Sequence, residues 1–191
     1  MKDTIIIKLA ETEDELEQIL KLQDSNHIQN LSPKERKSNG FVTVKHDLEI
    51  TTKMNNSARQ VIAKDNETVV GYALVMLKEF SELIPVLTPM FAMFSNLSFN
   101  QMPLSSYKYY VMGQICIAES HRGSGIFEDL YLKHKEVYSD KFEICLTEVS
   151  VNNIRSMKAH VRTGFQTIHT FQDKTDNWNI LLWDWNRTTD T

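Results

Sequence analysis

Arg122-Gly123-Ser124-Gly125 sets two glycines and one guanidinium into four consecutive residues, directly before a stretch patterned as a helix. Glycine lets the backbone adopt left-handed conformations and approach a ligand closely. The first N–H groups of a helix lack intrahelical acceptors and carry the positive end of its dipole. Such a turn favours a diphosphate, and Arg122 can add a charge-assisted contact. Alone the signal is weak, because an arginine in a turn is by default a solvated surface group. Two other phosphate motifs fit poorly. A Walker loop ends in Gly-Lys-Ser/Thr, which does not occur, and the dinucleotide fingerprint G-x-G-x-x-G needs glycine where Glu128 stands. Glu148 does lie about twenty residues further on, where that fingerprint places its ribose acid, but the remaining βαβ units of a doubly wound fold are missing. Cys116 and Cys145 lie in the apolar runs QICIA and EICLT with no Cys or His at ligand spacing, so they read as buried thiols and no metal is implied.

The elements that must position this turn are legible around it. Tyr107 to Ala118 is rich in aromatic and β-branched residues and reads as a long strand. Past the turn, Phe127, Leu130, Tyr131, His134 and Val137 or Tyr138 recur as one face of a helix packed on a sheet. Phe142 to Val149 is the next strand. Asn152-Asn153 then caps a helix whose Ile154, Met157 and Val161 face inward until Gly164 ends it. Phe165 to Phe171 and Trp178 to Trp185 form a closing hairpin, and Arg187 to Thr191 a tail. In the first half, a strand from Thr4 to Ala10 leads into a helix with a Thr12/Glu15 capping box. Ser32, Pro33 and Glu35 open a short helix that Gly40 ends, Phe41 to Val44 reads as a strand, and Asp47 caps a helix through about Asn55. Gln60 to Ala63 and Thr68 to Leu77 read as an antiparallel hairpin. Leu83 to Tyr107 carries no charge, yet Pro85, Pro89, Pro103 and its Asn, Gln and Ser residues exclude a membrane span. Met90, Phe91, Met93, Phe94 and Leu97 predict one helix there. The segment reads first as a core or dimer-contact helix, compatible with a homodimer, and second as a wall for an acceptor with an apolar part. The whole is a mixed α/β chain of one domain, residues 1–191, with a βαβ unit in its second half.

Arg122-Gly123-Ser124-Gly125-Ile126-Phe127 resembles the pyrophosphate loop Gln/Arg-x-x-Gly-x-Gly/Ala of the GNAT superfamily of N-acetyltransferases, with Phe127 in place of the last Gly or Ala. Asn153, Ser156, His160, Gly164 and Phe165 match the spacing of that family's Asn-x-x-Ala/Ser-x-x-x-Tyr-x-x-x-Gly-Phe helix, with His160 replacing the tyrosine. The resemblance is firm over Tyr107 to Trp185. It implies an α/β (α+β) fold with a mixed, mostly antiparallel central sheet flanked by helices, whose strands 107–118 and 142–149 splay apart. It also implies acetyl-CoA as co-substrate, held by Arg122, Gly123, Ser124, Gly125, Ile126 and Phe127. Asn153, Ser156 and His160 would contribute from the next helix, and the pantetheine arm would pair with backbone near Ile115, Cys116 and Ile117.

Amide formation requires a neutral amine, whereas an alkylamine with a pKa of about 10.4 is protonated at neutral pH, so a base or water relay must act. Glu119 and Glu148, at the carboxyl ends of the two central strands, are the candidates, with Gln114 orienting a water between them. A backbone N–H near Ile117 could meet the oxyanion. His160 stands where the family's tyrosine serves the departing thiolate, unless it is a packed helix residue; Tyr107, Tyr109 and Tyr110 are alternative donors.

The 191 residues carry a net charge of -4, which argues against a nucleic-acid partner, since phosphate-backbone binding needs clustered cations. The opening apolar run is too short for a signal peptide, and with no membrane segment a cytoplasmic location is expected. The resemblance implies an amine acceptor, an unidentified small molecule or peptide. Two other function classes stay open: a CoA-binding regulatory domain without catalysis, suggested by Phe127 and His160, and a dinucleotide-dependent oxidoreductase using the Gly-Ser-Gly turn.

Overall fold

The computed structural model describes residues 5–186, so the expected tail at 187–191 and Thr4 of the first strand lie outside the described residues. Nine strands and six helices follow in order: β1 (Ile6–Leu9), α1 (Glu13–Ser25), α2 (Pro33–Asn39), α3 (Leu48–Ser57), β2 (Val61–Asp65), β3 (Thr68–Met76), α4 (Thr88–Phe94), β4 (Ser98–Phe99), β5 (Met102–Pro103), β6 (Tyr109–Ile117), α5 (Ile126–Tyr138), β7 (Ile144–Ser150), α6 (Ile154–Thr163), β8 (Gln166–Gln172) and β9 (Asn177–Asp184). Seven strands form one sheet in the order β1-β2-β3-β6-β7-β9-β8, antiparallel except where β6 meets β7. Among the described residues no helix is long and apolar enough to cross a membrane.

The expected helix starts are built as the caps require. Thr12 Oγ1 accepts from Glu15 N–H, and Ser32 Oγ accepts from Glu35 N–H in a second capping box. Glu15 is buried and does more than cap. Burial works to raise its pKa, but hydrogen bonds from Glu11 N–H, Lys8, Lys64 and Thr12 N–H outweigh that and hold the carboxyl at about 2. The two ammonium groups, 2.9 and 3.2 Å away, tie β1 and β2 to α1 through this one carboxylate.

Each face of the sheet has its own core. On one, Ile126, Leu130, Tyr131 and Tyr138 of α5 pack with Val61, Ala63, Ala73 and Trp183. On the other, Leu16 and Ile19 of α1 pack with Met54, Leu74, Leu146 and Leu182. The uncharged segment also covers this second face, burying Met90, Phe91, Phe94, Phe99 and Leu104. It is a core element, but not the single helix expected. α4 ends at Phe94, and the chain then turns through Asn100 and Gln101, both at positive φ, in the β4/β5 ribbon. Phe41–Val44 forms no strand; only Val42 bridges to His27. On α6, Ile154 and Val161 point outward at 59% and 57% exposure, while Ala159 and His160 face in, so the buried face is rotated from the one expected.

The site is created where the sheet opens. β6 and β7 pair in parallel over three residue pairs only, from Tyr109↔Ile144 to Val111↔Leu146. Just beyond, Leu74 faces Gln114 and Val75 faces Met112, leaving Gly113 as an extra residue in β6. A bulge bends the strand that carries it and terminates pairing on its far side. Glycine leaves the space there to Met76, whose Cε would lie 2.8 Å from a Cβ on Gly113 and would have to move aside for one. β6 past Gly113 therefore stays bonded to β3 and parts from β7.

Candidate active site

The gap between the parted strands holds two adjoining clefts. The larger, about 360 Å³, runs from the glycine turn along β6 and the first turns of α6. Gly123 and Gly125 adopt φ of +79° and +92°, a region costly for residues bearing a Cβ. A Cβ on Gly123 would meet nothing within 4 Å, so these glycines serve conformation rather than packing. Gly125 is the N-cap of α5 and supplies no side-chain acceptor, which leaves the first helical N–H groups available to a ligand.

Arg122 is not a solvated surface group. Its Nε donates to Ile117 O at 3.1 Å and its Nη2 to Asn26 Oδ1, while Nη1 is buried without a partner. An orphaned guanidinium N–H in this cleft fits a diphosphate oxygen. Opposite it on α6, Arg155, Lys158 and Arg162 line the same cleft, against the single carboxylate Glu128, which lies 3.4 Å from Arg162. The chain is acidic overall, yet this wall is cationic. The sequence reading passed over these three residues, although their i, i+3, i+7 spacing was visible.

β6 offers an unpaired edge. Ala118 N–H bonds Val70 O on the β3 side, so by strand alternation the amides of Ile117 and Ile115 face the gap. Ile115, Cys116, Ile117, Arg122, Gly123, Gly125, Phe127, Asn153 and Ser156 are thus gathered around one cleft. Ser124 and Ile126 do not line it. Ser124 Oγ turns back to His121 O, and Ile126 is buried against the Gly71 side of the sheet. Phe127 turns its ring toward Tyr131 and His160, with centroids at 5.3 and 5.1 Å, so its bulk lies largely behind the turn.

The smaller cleft, about 80 Å³, lies beyond the bulge and includes Met112, Gly113, Gln114, Thr147, Glu148, Ser150 and Trp178. Glu148 Oε2 is buried there with no hydrogen-bond partner. Burial, aided by the Asp173 carboxylate, pushes its pKa up to about 8. A desolvated carboxyl poised near neutrality is suited to proton transfer. Residues 40–44 line the two clefts and, with Lys45 and His46, form a strap whose part in the site the sequence reading also missed. Asn153 Nδ2 donates to Phe41 O, Gln114 Nε2 to Val44 O, and His46 N–H to Gln23 Oε1.

Several expected roles find no geometry. Glu119 is exposed in the turn after β6 and lines neither cleft. Gln114 is engaged at both ends: its Oε1 accepts from Tyr72 and Gln23 while its amide donates to Val44 O of the strap. Tyr110 is buried against His134, Tyr107 binds Phe99 O, and Tyr109 packs on Phe94, all outside the clefts. His160 is 1% exposed, and burial lowers its pKa to about 4. Its Nδ1 lies 2.8 Å from Ser156 O and its Nε2 2.7 Å from the Tyr131 hydroxyl, so the proton-donor reading gives way to a packed, neutral ring. Among the described residues no cluster of three or more His, Cys, Asp or Glu could hold a metal.

No protein-family model and no curated protein matches this sequence. Solved structures do match its fold. The NatC complex bound to Gag peptide and CoA aligns with a TM-score of 0.64 at 13% identity, covering 94% of this chain and 98% of that one. A putative acetyltransferase from Salmonella typhimurium with acetyl-CoA gives 0.62 at 13% identity over 97% and 96%. A ribosomal-protein-alanine N-acetyltransferase from Brucella melitensis gives 0.61 at 17% identity over 94% and 99%. The chain has the mixed, mostly antiparallel fold of the GNAT N-acetyltransferases.

Proposed function

We propose that this protein is an acetyl-CoA-dependent N-acetyltransferase, a single-domain enzyme acting on a primary amine of a small molecule or peptide. One observation carries the reading: two adjoining clefts that share Phe41, Val42, Ile115, Asn153 and Ser156 lie along the unpaired edge of β6, the orphaned Arg122 guanidinium and the glycine turn in one and the orphaned Glu148 carboxyl oxygen in the other. Arg122 and the first N–H groups of α5 bind the diphosphate, with Arg155, Lys158 and Arg162 facing it. The Ile115 and Ile117 N–H groups, which face the gap, are the donors offered to the pantetheine arm and to the developing oxyanion. Glu148 removes the proton from the acceptor ammonium. Acetyl-CoA supplies the activated acyl group. The structural neighbours solved with CoA or acetyl-CoA support this choice of donor. Two free, buried thiols fit a reducing compartment such as the cytoplasm.

His160 lines the smaller cleft, but both its ring nitrogens are already hydrogen-bonded, which favours a second reading, a CoA-binding regulatory domain, because it withdraws the expected donor to the thiolate. Calorimetric titration with acetyl-CoA, with NAD as control, tests the donor site. Binding of acetyl-CoA but not NAD, lost in an Arg122→Ala, Gly125→Ala double variant, is expected. Binding of NAD alone would return the turn to an oxidoreductase, and binding without turnover of any amine in a panel would leave the regulatory domain.

A further inference from the structure

The two clefts share five lining residues: Phe41, Val42, Ile115, Asn153 and Ser156. A ligand threaded from the glycine turn toward Glu148 passes between them. Three of these side chains are hydrocarbon. Asn153 is turned to the strap and the helix, its Nδ2 on Phe41 O and its Oδ1 on Ser156 N–H. Ser156 is the one hydroxyl at the junction.

The hydrogen of that hydroxyl is left free by its neighbour. His160 Nδ1 lies 2.8 Å from Ser156 O and 3.3 Å from Ser156 Oγ. A carbonyl oxygen can only accept, so Nδ1 carries the proton and Nε2 takes the Tyr131 O–H at 2.7 Å. With Nδ1 a donor, Ser156 Oγ faces it as an acceptor. The Ser156 O–H is then available to the cleft, and it has no other partner among the described residues.

We infer that Ser156 is a further catalytic residue, one that hydrogen-bonds the thiolate sulfur leaving in the proposed acetyl transfer, with His160 and Tyr131 as the positioning residues that fix its orientation. The inference rests on the acetyltransferase reading of the same site. As the amine nitrogen bonds to the acyl carbon and the carbon–sulfur bond breaks, the electron pair passes to sulfur. Glu148 takes the ammonium proton. Ser156 keeps its own proton and lends only its hydrogen bond, as a serine hydroxyl is far too weak an acid to lose it. The nitrogen's second proton passes to solvent as the amide forms, and solvent protonates the thiolate, so the balance is one neutral amine and one thioester to one amide and one thiol.

The thiol pKa of bound CoA reads this contact without any acceptor. It is measured by the thiolate absorbance of the CoA complex against a desulfo-CoA complex as blank. Cys116 and Cys145, both pushed up to about 12 by burial, stay silent through the range scanned. The wild-type complex should titrate about one pH unit or more below Ser156→Ala, since a hydrogen bond to the sulfur favours its charged form over the thiol. Ser156→Thr, which retains a hydroxyl, should hold the lower midpoint. Identical midpoints for wild type and Ser156→Ala overturn the inference. So does a Ser156→Ala variant that loses affinity equally for CoA and desulfo-CoA with its midpoint unmoved, which is the mark of a merely structural serine. A wild type that binds no CoA instead sinks the functional reading beneath it.

Discussion

Replacing Glu148 by Gln should stabilise the protein in alkali and leave it unchanged in acid. Burial raises this carboxyl from 4.5 to about 8, so the folded state keeps the proton over a range where the unfolded chain has lost it. Below pH 4.5 both states are protonated and the group contributes nothing to the pH dependence. As pH rises toward 8 the unfolded chain gains an ionisation that the folded state cannot match, and stability falls. At about 1.4 kcal/mol per pH unit the full loss is on the order of 5 kcal/mol, an upper value that water entering the cleft will reduce to about 3. Urea unfolding of wild type and Glu148→Gln at pH 4.5 and pH 9 measures it. The difference between them should grow by about 3–5 kcal/mol toward the alkaline side. A difference that stays constant would show a solvated, ordinary carboxylate and remove the physical ground for Glu148 as the base.

The same ionisation predicts that acetyl transfer rises with pH through about 8, and that Glu148→Gln lowers it and removes that limb. Glu15 has the opposite sign: its folded pKa of about 2 adds stability above pH 4.5 that is lost as pH falls toward 2. Glu15→Gln should therefore cost about 2–3 kcal/mol at pH 7 and little at pH 2, read from the same unfolding curves. Gly164→Ala should cost at least about 2 kcal/mol by thermal unfolding, because φ is +113° and the new Cβ would lie 2.9 Å from Trp183 Nε1. Gly125→Ala, whose Cβ would make only an ordinary contact with Asp129 Oδ2 at 4.0 Å, should lower stability by only about 1 kcal/mol while acetyl-CoA affinity falls at least tenfold by calorimetry.

The local signals were the legible ones. Thr12/Glu15 and Ser32/Glu35 place their helices because capping is settled within four residues. The α5 face from Leu130 to Tyr138 follows from period alone, and the turn at 122–125 from glycine chemistry. What stayed hidden depends on partners distant in sequence. Phe41–Val44 has the extended, β-branched look of a strand, yet the carbonyls at its two ends, Phe41 O and Val44 O, are taken by the side chains of Asn153 and Gln114, 112 and 70 residues away. The inward face of α6 was misread because its most apolar residues, Ile154 and Val161, point to solvent while a histidine is buried. Nothing in the sequence says that Tyr131 and the Ser156 carbonyl would satisfy both nitrogens of that ring. Glu119 and Glu148 look equivalent as strand-end acids, and only the opening of the sheet desolvates one of them.

The narrow seam between β6 and β7 divides the chain as well as the sheet. Every main-sheet strand on one side, β1, β2, β3 and β6, comes from residues before 118, and every strand on the other, β7, β9 and β8, from residues after 143. The protein is in this sense two consecutive antiparallel half-sheets, joined edge to edge by three residue pairs and bridged by α5. A molecule lying in the larger cleft touches Ile115 and Arg122 on one side and Asn153 and Lys158 on the other, and so works as a staple across the thinnest joint of the fold. Filling the site therefore adds contacts across the joint where the backbone itself supplies the fewest.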